Sequence, residues 1–472
     1  MKNTFIQRWN EESGYGEVLR IAFPLILSTS SWSLQHFIDR MFLTWYSPEA
    51  IAASMPAGLV NWTLVSIFVG TAAYVNTFVA QYYGARNYER IGSSVWQGLY
   101  LSLLASLVAI LFVPLAQPIF SLFGHPEGVK QLEVVYFLIL LIGAPFLVIN
   151  NAISSFFTGL GKTWMVMWVN FFSTGVNLFL DYLMIFGKWG FPEMGIAGAA
   201  WATVISVMVT SVVLFLLMSQ AHYRKKYSTL KNWKFERELF LRLLKYGLPS
   251  GFQFFLEIMA FTLFILLVGK IGVIELAASN IAFNINTLAF LPMYGMTIAV
   301  STVVGQRLGE NRPELAEKAT WSAFHLAFIY FFVLGLGYFF LPDLFIFPFA
   351  LQAEKEHFDS IQYMIEVLLK FVAVYCLFDA GNMIFSGALK GAGDTRFVAI
   401  SSVVLSWVLM LIPSYITLRF FSGNIYWLWL FVTLYIAGLC VIFFWRFQKG
   451  RWKSMRVIET PLPEVEKSDL QI

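Results

Sequence analysis

Long apolar stretches follow one another along almost the whole chain and are separated by short polar breaks. A helix needs about 20 apolar residues to cross the hydrocarbon core of a bilayer, and these stretches reach that length. Apolar and polar residues do not alternate in short segments, as they do in membrane β-barrels. The pattern therefore predicts an all-α polytopic membrane protein with twelve transmembrane helices. The predicted spans are 18–45, 51–82, 94–122, 131–158, 163–187, 195–219, 242–269, 276–307, 318–348, 361–388, 397–419 and 424–447.

The composition supports a membrane protein and excludes other classes. Of the 472 residues, 58% are hydrophobic and only 13% are charged, whereas soluble domains carry about 25% charged residues. Such a content excludes a disordered chain and leaves no room for a separate soluble domain. The two cysteines, Cys376 and Cys440, fall within apolar stretches, so a disulfide-rich secreted scaffold is excluded as well.

The Lys and Arg residues are concentrated on one side of the predicted topology. If the N-terminus is cytoplasmic, the N-terminal segment, the even-numbered loops and the C-terminal tail hold most of the 32 Lys and Arg residues. Cytoplasmic loops carry such an excess, and we therefore predict that both termini lie in the cytoplasm. The odd-numbered loops contain only Lys130, Lys188, Lys270, Lys355 and Arg419, and Arg40 and Lys370 lie within spans.

The two halves of the chain repeat each other. A shift of 225 residues aligns Pro24 with Pro249 and Gln81 with Gln306, and a shift of 232 aligns "GLGKT" at 159–163 with "GAGDT" at 391–395. Six spans separate the copies, so the repeat is parallel, as in transporters with two lobes around a central cavity. The predicted parts are an N-lobe (1–219, spans 1–6), a cytoplasmic linker (220–241), a C-lobe (242–447, spans 7–12) and a cytoplasmic tail (448–472).

Four acidic residues lie at least six residues from either end of a predicted span: Asp39, Asp181, Glu257 and Asp379. A charge at the bilayer centre costs at least about 2.5–3.5 kcal/mol, so these carboxyl groups must face the protein interior or a wet cavity. Asn177 lies one turn before Asp181, and Tyr375 lies one turn before Asp379, which places oxygen-rich side chains on shared helix faces. Such faces suit a bound cation or proton.

Each of these acids also has a purely structural interpretation, because a carboxyl group within a membrane can simply bond a neighbouring helix. We favour a functional role, since ionisable residues inside spans mark ion and substrate pathways. His36 shares a helix face with Asp39, but a single His in this position is more typical of a hydrogen-bonded core residue.

Motifs for catalysis are missing from the sequence. The "GLGKT" segment is preceded by Phe156 where a phosphate-binding loop has its first glycine, and no strand is predicted before it. The five His residues show no zinc-ligand spacing, and no Ser-His-Asp or Cys-His set stands out. We predict that the protein is not an enzyme.

Several segments resemble the multidrug and toxic compound extrusion (MATE) transporters, in the order and spacing of that family. The most specific is "FDAGNMIFSGALKGAGDTR" at 378–396, which looks like the family's span-10 signature and has a weaker counterpart at 155–163. Residues 248–269, with an acid in mid-helix, resemble the span-7 signature. Residues 36–53 resemble span 1, and residues 177–203 resemble spans 5 and 6. The resemblance extends over all twelve spans and favours the NorM-type branch.

The resemblance implies a cation-coupled antiporter of the cell (inner) membrane, driven by Na+ or H+, that exports cationic or amphipathic organic compounds by alternating access. It implies no cofactor beyond the coupling ion. The expected partners are small organic molecules and the lipid bilayer, with no nucleic acid and no obligate protein partner. By position, the implied C-lobe coupling residues are Glu257, Asp379 and Tyr375, the implied N-lobe coupling residues are Asp39, Asn177, Asp181 and Thr203, and Na+ could bind at either set.

Three other functions are alternatives to export. A flippase for lipid-linked oligosaccharides, from a related fold, is the main alternative, but its cavity should carry several Lys or Arg for phosphates. Only Arg40 and Lys370 lie more than four residues inside the predicted spans. A membrane-embedded enzyme lacks a catalytic constellation here, and two similar lobes fit a rocking transporter better than a channel with a fixed pore.

Overall fold

The protein folds into twelve long helices, which we label α1–α12. The computed structural model describes residues 8–350, 355–421 and 423–459. The helices are α1 Tyr15–Tyr46, α2 Pro48–Ala73, α3 Glu89–Phe112, α4 Glu127–Gly159, α5 Thr163–Phe186, α6 Ile196–Met218, α7 Arg237–Gly269, α8 Val273–Gly309, α9 Pro313–Phe340, α10 Lys355–Ala392, α11 Thr395–Phe420 and α12 Ile425–Gln448. Helix α2 continues beyond Tyr74 as Val75–Gly84. Helix α11 consists of Thr395–Leu405, a π-helical turn at Ser406–Leu411 and Ile412–Phe420.

Eleven of these helices are long and apolar enough to cross a membrane. The exception is α1, which has 32 residues but carries Glu17, Arg20, Asp39 and Arg40. Its length matches that of its neighbours, and it packs against both α5 and α8. Polar residues on a helix of that length indicate a buried or cavity-lining face rather than a soluble helix. The predicted all-α fold with twelve transmembrane helices is confirmed.

Two predicted spans are too long. Span 3 was predicted over 94–122, but α3 ends at Phe112 and a separate helix covers Ala116–Ser121. Span 9 was predicted over 318–348, but α9 ends at Phe340 and a separate helix begins at Pro342. Proline ends each long helix because it lacks an N–H and its ring clashes with the preceding turn. A hydropathy pattern cannot reveal these two helix ends, because the residues on both sides of each proline are apolar.

The start of one helix from each lobe packs into the hydrophobic core of the other lobe. Val18, Ile21 and Leu25 of α1 pack into the core formed mainly by the C-lobe helices α8, α9, α10 and α12. Leu239 and Leu243 of α7 pack into the core of the N-lobe. The first turns of the two repeat-related helices α1 and α7 therefore hold the lobes together at the end of the bundle where α1 begins and α12 ends.

The lobes meet there in a tight seam, which we call the terminal seam. A methyl group on Gly84 would collide with the carbonyl oxygen of Gln306, and one on Gly309 would collide with that of Gln81. The two glutamines also cross the seam in opposite directions. Gln81 Nε2 donates to the carbonyl of Gly391 at 3.0 Å. Gln306 Nε2 donates to the carbonyl of Gly159 at 2.8 Å.

Both ends of the described chain reinforce this seam. Arg307 of α8, with 9% of its side chain exposed, pairs with Glu17 of α1 at 2.5 Å and with Glu310 at 2.8 Å. At the other end of the chain, the Val457 N–H donates to Gln81 Oε1 at 2.8 Å, and the Glu459 carboxylate accepts from Tyr82. The described part of the segment that follows α12 thus packs on the N-lobe.

Candidate functional site

The N-lobe acids meet across two helices. Asp39 of α1 and Asp181 of α5 lie within interaction distance of each other, because α1 packs along α5. Asn177 lies one turn before Asp181, and both side chains are fully buried. The Asp39 side chain is 13% exposed. Three of the residues predicted for the N-lobe site are therefore brought together on facing helix surfaces.

This N-lobe cluster is short of hydrogen-bond partners. Among the described residues, Asp39 Oδ1, both carboxyl oxygens of Asp181 and both amide atoms of Asn177 are buried without a partner. An unpaired buried polar group costs about 1–3 kcal/mol, and two neighbouring carboxylates also repel each other. A proton or a cation placed between Asp39 and Asp181 would remove both penalties. The geometry can therefore alternate between a loaded and an empty state.

Two further side chains border the N-lobe acids. Tyr136 of α4 is close enough to both carboxyl groups to interact with them, and the sequence gives no signal for it because a tyrosine in a membrane helix has many ordinary roles. His36 Nδ1 lies 4.0 Å from Asp39 Oδ2, and 51% of the His36 side chain is exposed. His36 thus connects Asp39 with an accessible surface.

Thr203 has a weaker connection with this site than the resemblance implies. It lies on α6, and its carbonyl oxygen accepts a bond from Ser206 Oγ at 2.8 Å. Within the described ranges, no hydrogen bond joins its hydroxyl group to Asp39 or Asp181.

The C-lobe acids are arranged differently, because each accepts a hydrogen bond from an amide on its own helix. Gln253 Nε2 donates to Glu257 Oε1 at 2.8 Å and also reaches Ser402 Oγ of α11 at 3.1 Å. Asn382 Nδ2 donates to Asp379 Oδ1 at 2.8 Å. Glu257 and Asp379 interact with each other across α7 and α10. The C-lobe pair is therefore partly satisfied in this structure.

Other polar groups surround the C-lobe pair. Tyr375 is buried one turn before Asp379, as the helical spacing predicts. Tyr294 of α8, Tyr435 of α12 and Lys390 of α10 each interact with Glu257. The sequence offered a signal only for Lys390, which lies past the end of predicted span 10 but within the observed α10. The site thus combines two acids, a cation and three phenols.

The two acid clusters do not form a dense metal site. In the part of the chain that the structure describes, no group of three or more His, Cys, Asp and Glu residues could hold a metal ion. A Na+ ion at either cluster would depend on amide, hydroxyl and backbone oxygens to complete its ligands, since hard cations prefer oxygen donors. In the N-lobe these donors are Asn177 and the two carboxyl groups; in the C-lobe they include Asn382 and Tyr375.

The clusters lie away from the terminal seam. The contact between Thr29 Oγ1 and the carbonyl of Leu291 and that between the rings of Trp62 and Phe254 join the lobes at mid-depth. Farther from the termini, no hydrogen bond, ion pair or ring contact joins the two lobes within residues 8–350, 355–421 and 423–459. Asp39 is ten residues beyond Thr29 in α1, about 15 Å along the helix. The N-lobe cluster therefore lies on the side where the lobes are not held together.

Comparison with known proteins decides the family. The family model MatE matches residues 24–183 and 249–416, which cover most of both lobes. The chain belongs to the MATE family. Its members are transporters, so the predictions of this family and of a non-enzymatic function are confirmed.

Relatives of this MATE transporter include several NorM proteins. A probable multidrug resistance protein NorM of Thermotoga maritima is 24% identical over 445 residues, covering 94% of each chain. The corresponding protein of Pseudomonas putida is 28% identical, covering 93% of this chain and 95% of its own. The predicted NorM-type branch is thereby confirmed.

Solved structures show the same fold. One, described as the outward-facing conformation of a multidrug resistance MATE family transporter of the MOP superfamily, has a TM-score of 0.85 at 22% identity, covering 95% of this chain and 99% of its own. A MOP superfamily transporter from Pyrococcus furiosus has a TM-score of 0.81 at 21% identity, covering 95% and 99%. The two-lobed architecture of this MATE transporter is therefore that of its structural relatives.

Proposed function

We propose that this MATE transporter is a multidrug efflux antiporter of the cell (inner) membrane, with both termini in the cytoplasm. It exports cationic or amphipathic organic compounds in exchange for Na+ or H+. The relatives named as multidrug resistance proteins support the substrate class. The observation that carries the coupling is the N-lobe cluster, in which two buried carboxyl groups lie within hydrogen-bond reach of each other and Asp181 has no other polar partner among the described residues.

The structure corresponds to the outward-facing state in this proposal. The lobes are sealed at the terminal seam, which the Lys and Arg distribution places on the cytoplasmic side. On the opposite side, the exposed His36 side chain lies 4.0 Å from Asp39, and we infer that the coupling ion enters from there. The inward-facing state requires the glutamine bonds of the seam to break and the lobes to rock apart.

The N-lobe cluster acts as the coupling site. On the outer side, a proton or Na+ binds between Asp39 and Asp181 and removes their repulsion. After the lobes rock, the ion leaves to the cytoplasm. Net entry of one charge across about 100 mV releases about 2.3 kcal/mol, which supports roughly a fiftyfold substrate gradient.

The C-lobe pair is the second site of the cycle. Glu257 and Asp379 already have amide donors, so they tolerate the absence of an ion better than the N-lobe acids do. Their negative charge and the neighbouring phenol rings of Tyr294 and Tyr435 suit an organic cation, which aromatic faces also attract. Substrate binding therefore belongs to the C-lobe and ion loading mainly to the N-lobe.

The decisive experiment is ethidium export in everted vesicles with Na+ and H+ gradients imposed separately. Asp181→Asn should abolish export driven by the coupling gradient, while protein levels in the membrane stay unchanged. Asp343→Asn is the matched control, because Asp343 is exposed on a short helix outside the two clusters. Gradient-driven export at the wild-type rate in Asp181→Asn would disprove the coupling site.

A further inference from the structure

An open groove lies on the outer surface of the C-lobe near the terminal seam. It has a volume of about 340 Å³ and is formed by α7 and the first turn of α11. Its walls are apolar except for two cationic side chains. The lining residues are Leu244, Lys245, Leu248, Pro249, Phe252 and Arg396.

The groove lies beside the face of α7 that packs on the other lobe. Gly247 and Gly251 of α7 pack against Thr71 and Ile67 of α2, and Leu244 of the groove wall packs against the N-lobe core. Lys245 and Phe252 lie on a different face of α7 and are exposed. The groove therefore opens toward the surrounding bilayer, at the level where α11 begins.

The two cations of the groove have no acidic partner. In the residues that the structure covers, neither Lys245 nor Arg396 forms an ion pair, and both side chains are exposed. The nearest acid in sequence, Asp394, is occupied by Arg446, whose Nε lies 2.6 Å from Asp394 Oδ2. Two uncompensated positive charges therefore stand at the mouth of an apolar groove.

The same place in the N-lobe is filled. The repeat aligns Arg20 with Lys245, Phe23 with Leu248 and Trp164 with Arg396. The rings of Phe23 and Trp164 pack with their centroids 6.1 Å apart. The C-lobe has a leucine and a flexible cation where the N-lobe has two rings. The groove is therefore specific to the C-lobe and does not follow from the shared scaffold.

We propose that this groove binds an anionic phospholipid of the bilayer. The lipid phosphate lies between Lys245 and Arg396, since guanidinium and ammonium groups form strong charge-assisted bonds with phosphate oxygens. An acyl chain follows the apolar wall of Leu248 and Phe252. The volume suits the glycerophosphate part of the lipid, because sites for small organic groups begin at about 300 Å³.

Pro249 adds a reason to expect a headgroup with hydroxyls. Proline has no N–H, so it cannot donate to the carbonyl of Lys245 four residues earlier in α7. The carbonyl of this groove residue therefore lacks its usual helical donor, and we infer that a hydroxyl of the lipid headgroup donates to it. Phosphatidylglycerol offers both a phosphate and hydroxyl groups and is therefore the probe of choice.

Native mass spectrometry of the detergent-purified protein tests the proposal without reference to transport. Phosphatidylglycerol should bind at concentrations at which phosphatidylcholine does not. The double variant Lys245→Gln/Arg396→Gln should weaken the tightest phosphatidylglycerol binding about thirtyfold, at roughly fivefold to sixfold per cation. Leu248→Trp retains both charges but fills the groove, and it should weaken this binding at least about tenfold.

Arg20→Gln is the matched control, because its N-lobe position is closed by Phe23 and Trp164. It should leave the tightest phosphatidylglycerol binding unchanged. Equal affinity in the wild type and the double variant would overturn the proposal, as would an equal loss in Arg20→Gln. Displacement of the lipid by millimolar glycerol 3-phosphate would show a site for free phosphate and would overturn it as well. Retained binding in Leu248→Trp would exclude the groove.

Discussion

The two acid clusters differ in how their charges are accommodated, although they lie in lobes of the same design. In the N-lobe, Asp39 and Asp181 face each other with unpaired oxygens. In the C-lobe, Glu257 and Asp379 accept bonds from Gln253 and Asn382. A cluster without partners changes most in free energy when an ion arrives, whereas a cluster with built-in donors changes less. In the proposed cycle, this difference separates a site for ion loading from a site for substrate.

The repeat explains why the clusters can differ. The shift that aligns α1 with α7 places Phe264 opposite Asp39, and it places Trp32 opposite Glu257. Phe264 is fully buried, and Trp32 packs on Trp62 with a centroid distance of 5.1 Å. The acids of α1 and α7 thus correspond to aromatic residues of the other lobe. The scaffold is shared, and the charged chemistry was placed in each lobe separately.

The largest effect is expected from the N-lobe acids. Asp39→Asn and Asp181→Asn each remove the carboxyl group on which ion exchange depends, so gradient-driven export should fall to the background rate. The same changes should not destabilise the fold, because they relieve repulsion between two buried acids. We expect a free energy of unfolding that is unchanged or higher by about 1 kcal/mol.

Export and thermal unfolding of the same purified variants check this prediction. Asp343→Asn serves as the control for the chemical change. A clear loss of stability in Asp181→Asn would mean that the Asp181 carboxylate has a stabilising partner in the folded protein, and it would contradict this prediction.

A smaller and different effect is expected from the C-lobe acids. Glu257→Gln keeps an oxygen that can accept from Gln253, and Asp379→Asn keeps one that can accept from Asn382. Packing should therefore persist, while the negative charge that holds a cationic substrate is lost. We expect an apparent KM for ethidium about tenfold higher, with the dependence of export on the ion gradient retained.

Initial export rates at increasing ethidium concentration, measured with and without the ion gradient, separate the two roles. A neutral amphipathic substrate is the control, since its KM should change little. If Glu257→Gln abolished the gradient dependence and Asp181→Asn preserved it, the assignment of the two lobes would have to be reversed.

The sequence predicts the scaffold well because hydropathy and the internal repeat are both long-range signals. The repeat already aligned Gln81 with Gln306 and residues 159–163 with 391–395, and these are the groups that cross the terminal seam. Which atoms meet could not be predicted, because a repeat shows equivalence and not contact. The reciprocal bonds arise from the way the two lobes face each other.

The sites are less predictable than the scaffold. Asp39, Asp181, Glu257 and Asp379 stand out because acids are rare in apolar spans. Tyr136 does not stand out, since a tyrosine in a membrane helix has many ordinary roles, and only the packing of α4 against α1 and α5 reveals its place. The amide partners were also missed, although Gln253 and Asn382 lie on the same faces as their acids at helical spacing.

The seam glutamines should give an intermediate effect that is unequal between the lobes. Gln81 makes two bonds across the seam, through Nε2 to Gly391 and through Oε1 to Val457, whereas Gln306 donates one bond to Gly159. A hydrogen bond contributes about 1 kcal/mol, or about a fivefold change in an equilibrium. Gln306→Leu should shift the population toward a seam-open state about fivefold, and Gln81→Leu more.

Distances between spin labels measure this population. Glu89 and Glu314 are exposed, repeat-related positions at the starts of α3 and α9, and each can be replaced by a labelled cysteine after Cys376 and Cys440 are changed to alanine. A longer-distance population should appear in both leucine variants. An equal response of the two variants would show that the bond to Val457 does not contribute.

The smallest effect is expected from Glu459, whose ion pairs with Arg90 and Arg242 are more exposed than those of Arg307. Burial opposes ionisation of Glu459, but the bond from Tyr82 and the charges of Arg242 and Arg90 outweigh it and hold its pKa below the ordinary value. Its stabilising contribution is therefore present above the ordinary pKa of a glutamate and is lost as the pH falls below it.

Glu459→Gln should destabilise the seam by at most about 1 kcal/mol, because the Glu459 side chain is 35% exposed and exposed ion pairs contribute little. Arg307→Gln should cost more, since Arg307 is 9% exposed and its removal leaves Glu17 and Glu310 without their partner. The spin-label distances between positions 89 and 314 at pH 7 rank the two variants.

Raising the salt concentration should abolish the effect of Glu459→Gln and reduce that of Arg307→Gln only slightly, because exposed charges are screened more than buried ones. A larger effect of Glu459→Gln would show that the C-terminal segment, and not the clasp around Arg307, holds the lobes together on this side.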